Sequence, residues 1–288
     1  MSEKPFLGVI GGSGLYQFPS LEKTEIMELD TPFGKPSSPI LIGYLAGKKV
    51  VFLARHGIGH IYMPAEVNYR ANIFALKLLG VERIISISAC GSLRDDYSPG
   101  NIVIPDQLVD FTKNRTYTFF GGGLVAHVGV AEPYCNELRE LLIRSVKAAN
   151  GVVHSSGTYI TIEGPRFSTK AESNLYRQWG MSIIGMTAIP EAFLAREAEM
   201  CYATMAHVTD YDVWHENESP VTVEMVIKIL NQNTEIAQKA ILRIMELLPE
   251  KPGCDCNHAL SNAILTQEKK ISLDARKRLD LLIKKYIV

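Results

Sequence analysis

The sequence predicts a single-domain α/β fold in which a mixed, largely parallel β-sheet is flanked by helices in three layers. Short apolar runs rich in β-branched residues alternate with segments of helical periodicity, as expected of strand–helix units. Apolar residues make up 47% of the 288-residue chain, enough for a large core. The formal net charge of −1 provides no basic surface for nucleic acid or an anionic membrane.

Six apolar runs predict strands. Their nearly continuous apolar character indicates burial on both faces of the sheet. They are Phe6–Gly11, Val50–Ala54, Arg83–Ala89, Tyr159–Gly164, Ser182–Met186 and Tyr202–Asp210.

Helical periodicity predicts four helices. The first, Pro64–Gly80, has proline near its start and glycine at its end, and the others cover residues 135–150, 221–248 and 272–288. A break follows at Pro249–Cys256. Because the remaining tail is too short for a separate domain, we expect a main domain over residues 1–250 and a C-terminal helical appendage of it over 251–288.

The N-terminus and the lengths of the apolar runs predict a soluble cytoplasmic protein. The N-terminus has one lysine before a short apolar run that ends in glycines, which is typical of a first strand and not of a signal peptide. No apolar run approaches the roughly 20 residues that span a bilayer. The five cysteines lack the paired spacing of a zinc site, and their odd number argues against a complete disulfide framework.

The first strand ends in a glycine-rich turn, GVIGGSGLY, over Gly8–Tyr16. The spacing fails the dinucleotide fingerprint because Gln17 stands where a third glycine is needed, and no Lys-Ser/Thr pair follows as in a triphosphate loop. What remains is a set of backbone N–H donors and the Ser13 hydroxyl, which suits a small oxyanion or a purely structural turn.

Other polar residues follow strand ends, where ligands bind in open α/β sheets. Arg55, in ARHG, is a forked donor suited to phosphate. Asp210 and Asp212 follow the last strand, where they form an acid/base pair, a metal pair or a simple turn. No His or Cys partner is in register, so we expect no metal there. The remaining strand-end candidates are Ser88, Glu163, Arg166, Phe167, Met186 and Thr187.

Nine motifs occur in order between Phe6 and about Leu248. They are GGSGLY, TPFGKPS, ARHG, MPAEVNYRANI, ACGSLRDD, PGNIVIPDQ, TIEGPRFST, GMTAIPEAFLAREAEMCYA and TDYDVW. Together they resemble the trimeric purine nucleoside phosphorylase family, which implies a nucleoside-phosphorylase-like fold for residues 1–250. The nine motifs together are far more specific to the family than any one motif. The tail after about Leu248 matches the family less clearly.

The resemblance implies a phosphorolysis in which inorganic phosphate is a co-substrate and no metal or organic cofactor takes part. The expected reaction converts S-methyl-5′-thioadenosine to adenine and 5-methylthio-ribose 1-phosphate, in purine and methionine salvage. The implied phosphate pocket consists of Ser13, Arg55, His56, Ser88, the Ala89 amide and Thr187. Ser13 and Ser88 stand where many family members have Thr, but both keep the hydroxyl.

The resemblance also implies a nucleoside site and a homo-oligomer, either a trimer or a dimer of trimers. Asp210 and Asp212 would bind the purine edge, with Asp210 as general acid. The other implied contacts are Met186 along the ribose, Phe167 at the base, Ser168 for substrate preference, Val223, Val226 and Ile227 around the methylthio group, and His127 from the adjacent subunit. The last four have simpler interpretations as core or exposed residues.

Three alternatives stay open. A carboxylate at Asp210 favours a 6-aminopurine, because it accepts from the N6 amino group, whereas a phosphorylase of 6-oxopurine nucleosides or methylthioinosine would prefer an amide. A non-enzymatic nucleotide-binding module would need no general acid.

The third alternative concerns the redox state of Cys254 and Cys256. Resemblance to thermostable family members implies a strained disulfide between them, but strained disulfides are easily reduced. We therefore expect free thiols in a reducing cytosol.

Overall fold

A mixed sheet of eleven strands forms the centre of the computed structural model, which describes residues 4–12, 18, 20–215 and 222–287, apart from the side chains of residues 225, 230 and 232. The strands are β1 Leu7–Gly11, β2 Glu22–Met27, β3 Ile40–Leu45, β4 Lys48–Ala54, β5 Arg83–Ser92, β6 Ile102–Val103, β7 Gln107–Phe111, β8 Val153–His154, β9 Thr158–Ile162, β10 Ile183–Gly185 and β11 Cys201–Asp210. The helices are α1 Tyr69–Leu78, α2 Asn136–Ala148, α3 Lys170–Gln178, α4 Glu191–Glu197, α5 Val223–Leu247 and α6 Leu273–Ile283. The predicted α/β fold is confirmed.

All six predicted strands are present, and the sheet contains five more. Two of the additional strands, β6 and β8, have two residues each, too few to show a period. The edge strand β2 has the sequence EKTEIM and is largely exposed, so it lacks the apolar run that marks the central strands.

The sheet branches at β5. This strand pairs in parallel with β1 on one side and with β11 on the other, and its carboxyl end pairs antiparallel with β10. β4 pairs in parallel with β1, so β4, β1, β5 and β11 run in the same direction. Their carboxyl ends therefore meet at one edge of the sheet, where ligands bind in folds of this kind.

Helix ends follow local capping signals. α1 begins five residues after its predicted start, because the Asn68 side chain accepts a hydrogen bond from the Ala71 N–H and caps the helix there. α3 begins at a capping box formed by Thr169 and Glu172. Within the described ranges no helix is both long and apolar enough to cross a membrane, including the 25-residue α5.

The C-terminal tail packs into the main core. In α6, Ala275, Leu279 and Leu282 are buried in the same apolar cluster as Ile84 of β5 and Tyr202 of β11. A second cluster on the sheet includes residues of α2 and α5. The tail therefore shares its core with the rest of the chain.

Candidate active site

Asp210 lies at the carboxyl end of β11 and is 8% exposed. Its Oδ2 accepts from the Thr209 hydroxyl at 2.6 Å, and its Oδ1 accepts from the backbone N–H of Asp212 at 2.8 Å. Burial raises the pKa of Asp210 to about 6, against the opposing effect of these two hydrogen bonds. A carboxyl group that titrates near neutral pH is suited to general acid catalysis.

Asp212 is a second buried carboxylate beside the first. Its backbone has a φ of 52°, in the left-handed region that non-glycine residues seldom adopt. Its Oδ2 has no hydrogen-bond partner among the described residues, and neither do the hydroxyls of Ser168 and Ser173. Burial raises the pKa of Asp212, although these two hydroxyls oppose the shift. The two hydroxyls are therefore donors within the chain that lie close to the buried carboxylate of Asp212.

Two residues that sequence reasoning missed hold Asp210 in place. Thr209 donates to its carboxylate, and Gly91 lies opposite Asp210 on the neighbouring strand β5. A Cβ at position 91 would lie 2.8 Å from Asp210 Oδ1, closer than packed atoms allow, and 3.3 Å from Asp212 Cβ, which is a tight contact. The signal was present, since the motifs ACGSLRDD and TDYDVW contain both residues.

Arg55 is a buried partner of Glu191 at the start of α4. Its Nε donates to Glu191 Oε2 at 2.8 Å and its Nη2 donates to Glu191 Oε1 at 3.0 Å, with further bonds to Ser86 Oγ and the Ile87 carbonyl. Tyr202 also donates to Glu191. The side of the guanidinium that carries Nε and Nη2 therefore faces Glu191, and the contact of Arg55 with phosphate stays a prediction. One Nη1 hydrogen stays without a partner in the described part of the chain.

His56 follows Arg55 and is half-buried. Its Nδ1 lies 2.8 Å from the Tyr62 carbonyl and its ring stacks on His60. Because a carbonyl oxygen only accepts, Nδ1 carries the proton and Nε2 of the neutral ring is an acceptor. Burial, followed by the charge of Arg55, lowers the pKa of His56 to about 4.

The remaining predicted phosphate residues lie around the carboxyl half of β5. Ser88 is buried, with its Oγ 3.4 Å from the Tyr159 hydroxyl, and Ala89 next to it is partly exposed. β10 runs antiparallel to the end of β5, with Ile184 opposite Gly91. The chain after β10 therefore returns toward Ser88 and brings the buried Thr187 to that region. Ser13 lies outside the described residues.

Arg115, which no motif indicated, holds together the two loops that carry predicted nucleoside contacts. It is buried, and it donates to the carbonyls of Met186 and Ile189 on one loop and to those of Ile162 and Glu163 on the other. The first loop carries Met186, which is half-buried. The second leads to Phe167, whose side chain is 39% exposed, and Ser168.

The predicted methylthio pocket is open in the single chain. Val223 and Ile227 on α5 are 59% and 52% exposed, and Val226 is half-buried. His127 is exposed and held through its backbone, whose N–H donates to the Ala263 carbonyl at 2.8 Å. These four residues are surface positions here, and their roles in substrate preference stay predictions.

The cysteines are arranged differently from the sequence-based expectation. All five are free, but Cys135, Cys201, Cys254 and Cys256 converge so that their sulfur atoms lie within 4.8 Å of one another. The expectation of no metal site depended on the cysteines being scattered. In the fold four of them form one cluster, far along β11 from Asp210.

A family model confirms the class of protein that the fold and the strand-end site define. Residues 6–246 match the model described as the phosphorylase superfamily. The chain belongs to this phosphorylase superfamily, as its motifs predicted.

Relatives within the superfamily narrow the comparison. The S-methyl-5′-thioadenosine phosphorylase of Gloeobacter violaceus is 52% identical over 97% of this chain and 95% of its own. The crystal structure of a methylthioadenosine phosphorylase from an Antarctic soil metagenomic library is 47% identical, with a TM-score of 0.93 over 98% of this chain and 99% of that one. The Schistosoma mansoni enzyme in complex with adenine is 36% identical, with a TM-score of 0.84 over 90% and 96% of the two chains.

Proposed function

We propose that this chain catalyses phosphorolysis of S-methyl-5′-thioadenosine, giving adenine and 5-methylthio-ribose 1-phosphate. The observation that carries the proposal is the buried pair Asp210 and Asp212 at the carboxyl end of β11, where burial raises the pKa of Asp210 to about 6. The same activity is named for relatives that are about half identical over nearly the full length.

The pair suits the edge of a 6-aminopurine. Adenine presents the N6 amino donor beside N7, and a carboxylate oxygen accepts from a donor. An N6–H directed at a carboxylate oxygen of this pair would form a hydrogen bond of this kind. A 6-oxopurine would instead place its oxygen against a carboxylate, and a buried mismatch of this kind discriminates by orders of magnitude.

Asp210 is the proposed general acid for the leaving base. The transition state is cationic at the sugar, while negative charge builds on the purine as the C1′–N9 bond breaks. A proton delivered to N7 neutralises that charge, a contribution of roughly 10²–10⁴-fold. With a pKa near 6, Asp210 holds this proton in a useful fraction of molecules at neutral pH, and base binding would shield it further from water.

Inorganic phosphate is the proposed nucleophile, bound by Ser13, His56, Ser88, the Ala89 amide and Thr187 with one N–H of Arg55. The Nδ1–H of His56 is committed to the Tyr62 carbonyl. His56 Nε2 therefore either accepts the P–O–H of monohydrogen phosphate or takes up a proton as the anion binds. Either arrangement holds the phosphate for attack at C1′ and stabilises the cationic sugar.

The proposed assembly is a trimer or a dimer of trimers that closes the methylthio pocket. Exposed apolar residues support an interface at two places, with Val125 and Val130 on either side of His127, and Ile58 and Ile61 after His56. We place the reaction in cytoplasmic purine and methionine salvage. Light scattering with size-exclusion chromatography measures the assembly, and a monomer at micromolar concentration contradicts this part.

The deciding experiment measures adenine release from methylthioadenosine with and without phosphate. We expect release only with phosphate, together with one methylthioribose 1-phosphate per adenine. Release without phosphate would indicate a hydrolase.

A parallel measurement with methylthioinosine and inosine tests the choice of base. We expect kcat/KM for methylthioadenosine to exceed that for either 6-oxopurine nucleoside by at least tenfold. The opposite order would support the 6-oxopurine alternative, and binding without turnover of any substrate would support the non-enzymatic one.

A further inference from the structure

Four cysteine thiols converge at the amino end of β11, remote from the proposed active site. All four sulfur atoms lie within 4.8 Å of one another, with Cys254 Sγ 3.3 Å from Cys201 Sγ and 3.5 Å from Cys135 Sγ. Cys135, Cys201 and Cys256 are buried, and Cys254 is partly exposed. Nothing in the proposed phosphorolysis uses these groups.

We propose that this thiol cluster, Cys135, Cys201, Cys254 and Cys256, is a structural zinc site. Zinc takes four thiolates at about 2.3 Å in a tetrahedron, whose edges are then about 3.8 Å. The observed spacing needs only small side-chain movements to reach that shape. An iron–sulfur cluster holds its cysteine sulfurs farther apart than a single ion does, so this compact arrangement favours a mononuclear site.

The surroundings suit the negative charge of the site. Four thiols lose their protons as Zn²⁺ binds, which leaves a net charge of −2 on the complex. Cys135 is the N-cap of α2, where the helix dipole favours negative charge, and Arg196 Nη1 lies 3.5 Å from Cys256 Sγ. The partly exposed Cys254 provides the entry path that metal exchange needs.

A zinc ion at this site would cross-link the C-terminal tail, residues 251–288, to the rest of the chain. Cys135 precedes α2, Cys201 begins β11, and Cys254 and Cys256 lie at the short 3₁₀ helix Asp255–His258. A hydrogen bond from the Gly253 N–H to the Glu137 carboxylate, at 2.8 Å, supports the same junction. One ion therefore joins three segments that are far apart in the chain, which removes more freedom from the unfolded chain than a local cross-link does.

The test uses the full-length protein purified under reducing conditions, with zinc alone as the probe. We expect about one zinc per chain by mass spectrometry of the metal. Stripping it with a chelator should lower Tm by several degrees and expose the segment before α6 to limited proteolysis. Cobalt substitution should produce the absorption bands of a tetrahedral thiolate site.

Cys254→Ser is the matched variant, because this partly exposed position tolerates the change. It should weaken zinc binding by more than the roughly 10–100-fold that loss of an outer-shell partner costs. Cys90→Ser removes the one cysteine outside the cluster and should keep full zinc occupancy. Each variant is checked for native circular dichroism.

Two results would overturn the proposal. One is a reduced, folded wild-type protein that takes up no zinc at micromolar free metal. The other is a native mass that shows disulfides, with two hydrogens lost for each, in a protein that takes up no zinc after the disulfides have been reduced. Both measurements are made on the wild type and are independent of whether methylthioadenosine is the substrate.

Discussion

β11 has a different chemistry at each of its ends. Its carboxyl end carries Asp210, whose buried carboxylate contacts neighbours on the same strand and on β5. Its amino end carries Cys201, whose sulfur meets thiols from α2 and from the C-terminal tail. The two residues are nine positions apart along the strand, which corresponds to about 30 Å. One strand thus connects the proposed reaction centre to the junction that holds the tail.

The two ends of β11 differ in how far apart in the sequence the contacting residues are. At the carboxyl end, Thr209, Asp210 and Asp212 are close neighbours in sequence, while Gly91 and the hydroxyls of Ser168 and Ser173 come from elsewhere. At the amino end every contact is long-range. We therefore expect changes at the carboxyl end to alter activity more than stability, and changes at the amino end to do the reverse.

Asp210→Asn should have the largest effect, and it tests the activity of the carboxyl end. The amide cannot supply the acidic proton, so kcat/KM for methylthioadenosine should fall roughly 10²–10⁴-fold. Its NH₂ group can meet O6 of a 6-oxopurine, so activity toward methylthioinosine should fall less or rise. Asp212→Asn is the matched variant and should lose less. An Asp210→Asn variant with full activity would remove the general acid from the mechanism.

Arg55→Ala tests the region between the two ends, where the Arg55–Glu191 pair packs against Tyr202. Removing the cation leaves Glu191 buried and unpaired, so unfolding free energy should fall by about 3–5 kcal/mol. Arg243→Ala is the control, because its pair with Glu246 is exposed and worth at most about 1 kcal/mol. Equal losses in Tm for both variants would contradict the assigned burial effect.

Gly91→Ala tests whether shape at the carboxyl end positions the carboxylate. The new methyl group would lie 2.8 Å from Asp210 Oδ1, which should cost about 1–3 kcal/mol of stability through overpacking. At a temperature well below its Tm, where the variant is still folded, we expect kcat/KM of Gly91→Ala to be lower than that of the wild type. Gly129→Ala adds a methyl group where nothing lies within 4 Å and serves as the Tm control. Unchanged turnover in Gly91→Ala would mean that Asp210 tolerates displacement.

The smallest expected effect is on stability as a function of pH. The pKa of Asp210 is raised in the folded state to about 6, so its neutral form stabilises the fold fully below the unfolded value of about 3.9. This contribution is lost as pH rises through 6. Relative to Asp210→Asn, the wild type should lose about 1 kcal/mol between pH 5 and pH 7, measured by urea unfolding. A difference that stays constant with pH would contradict the raised pKa.

Local patterns in the sequence were sufficient for the central strands and for the strand-end positions of the candidate site. Each central strand is a nearly continuous apolar run, as burial on both faces favours. Asp210 and Asp212 were identified because they directly follow such a run. The additional strands β6 and β8 were missed because two residues carry no periodicity, and β2 was missed because an exposed edge carries none of the apolar signal.

Tertiary structure alone decided which side chains meet. Arg55 follows a strand as a phosphate ligand would, but packing directs its fork to Glu191, which lies 136 residues later. The four cysteines lack metal-site spacing in the sequence, and the fold nevertheless brings their sulfur atoms together. The physical reason is that periodicity and turn chemistry act between near neighbours, whereas pairing across a sheet and docking of a tail depend on the free energy of the whole packed core. The sequence by itself thus determined the strands and where their chemistry emerges, and only the folded chain determined the partners.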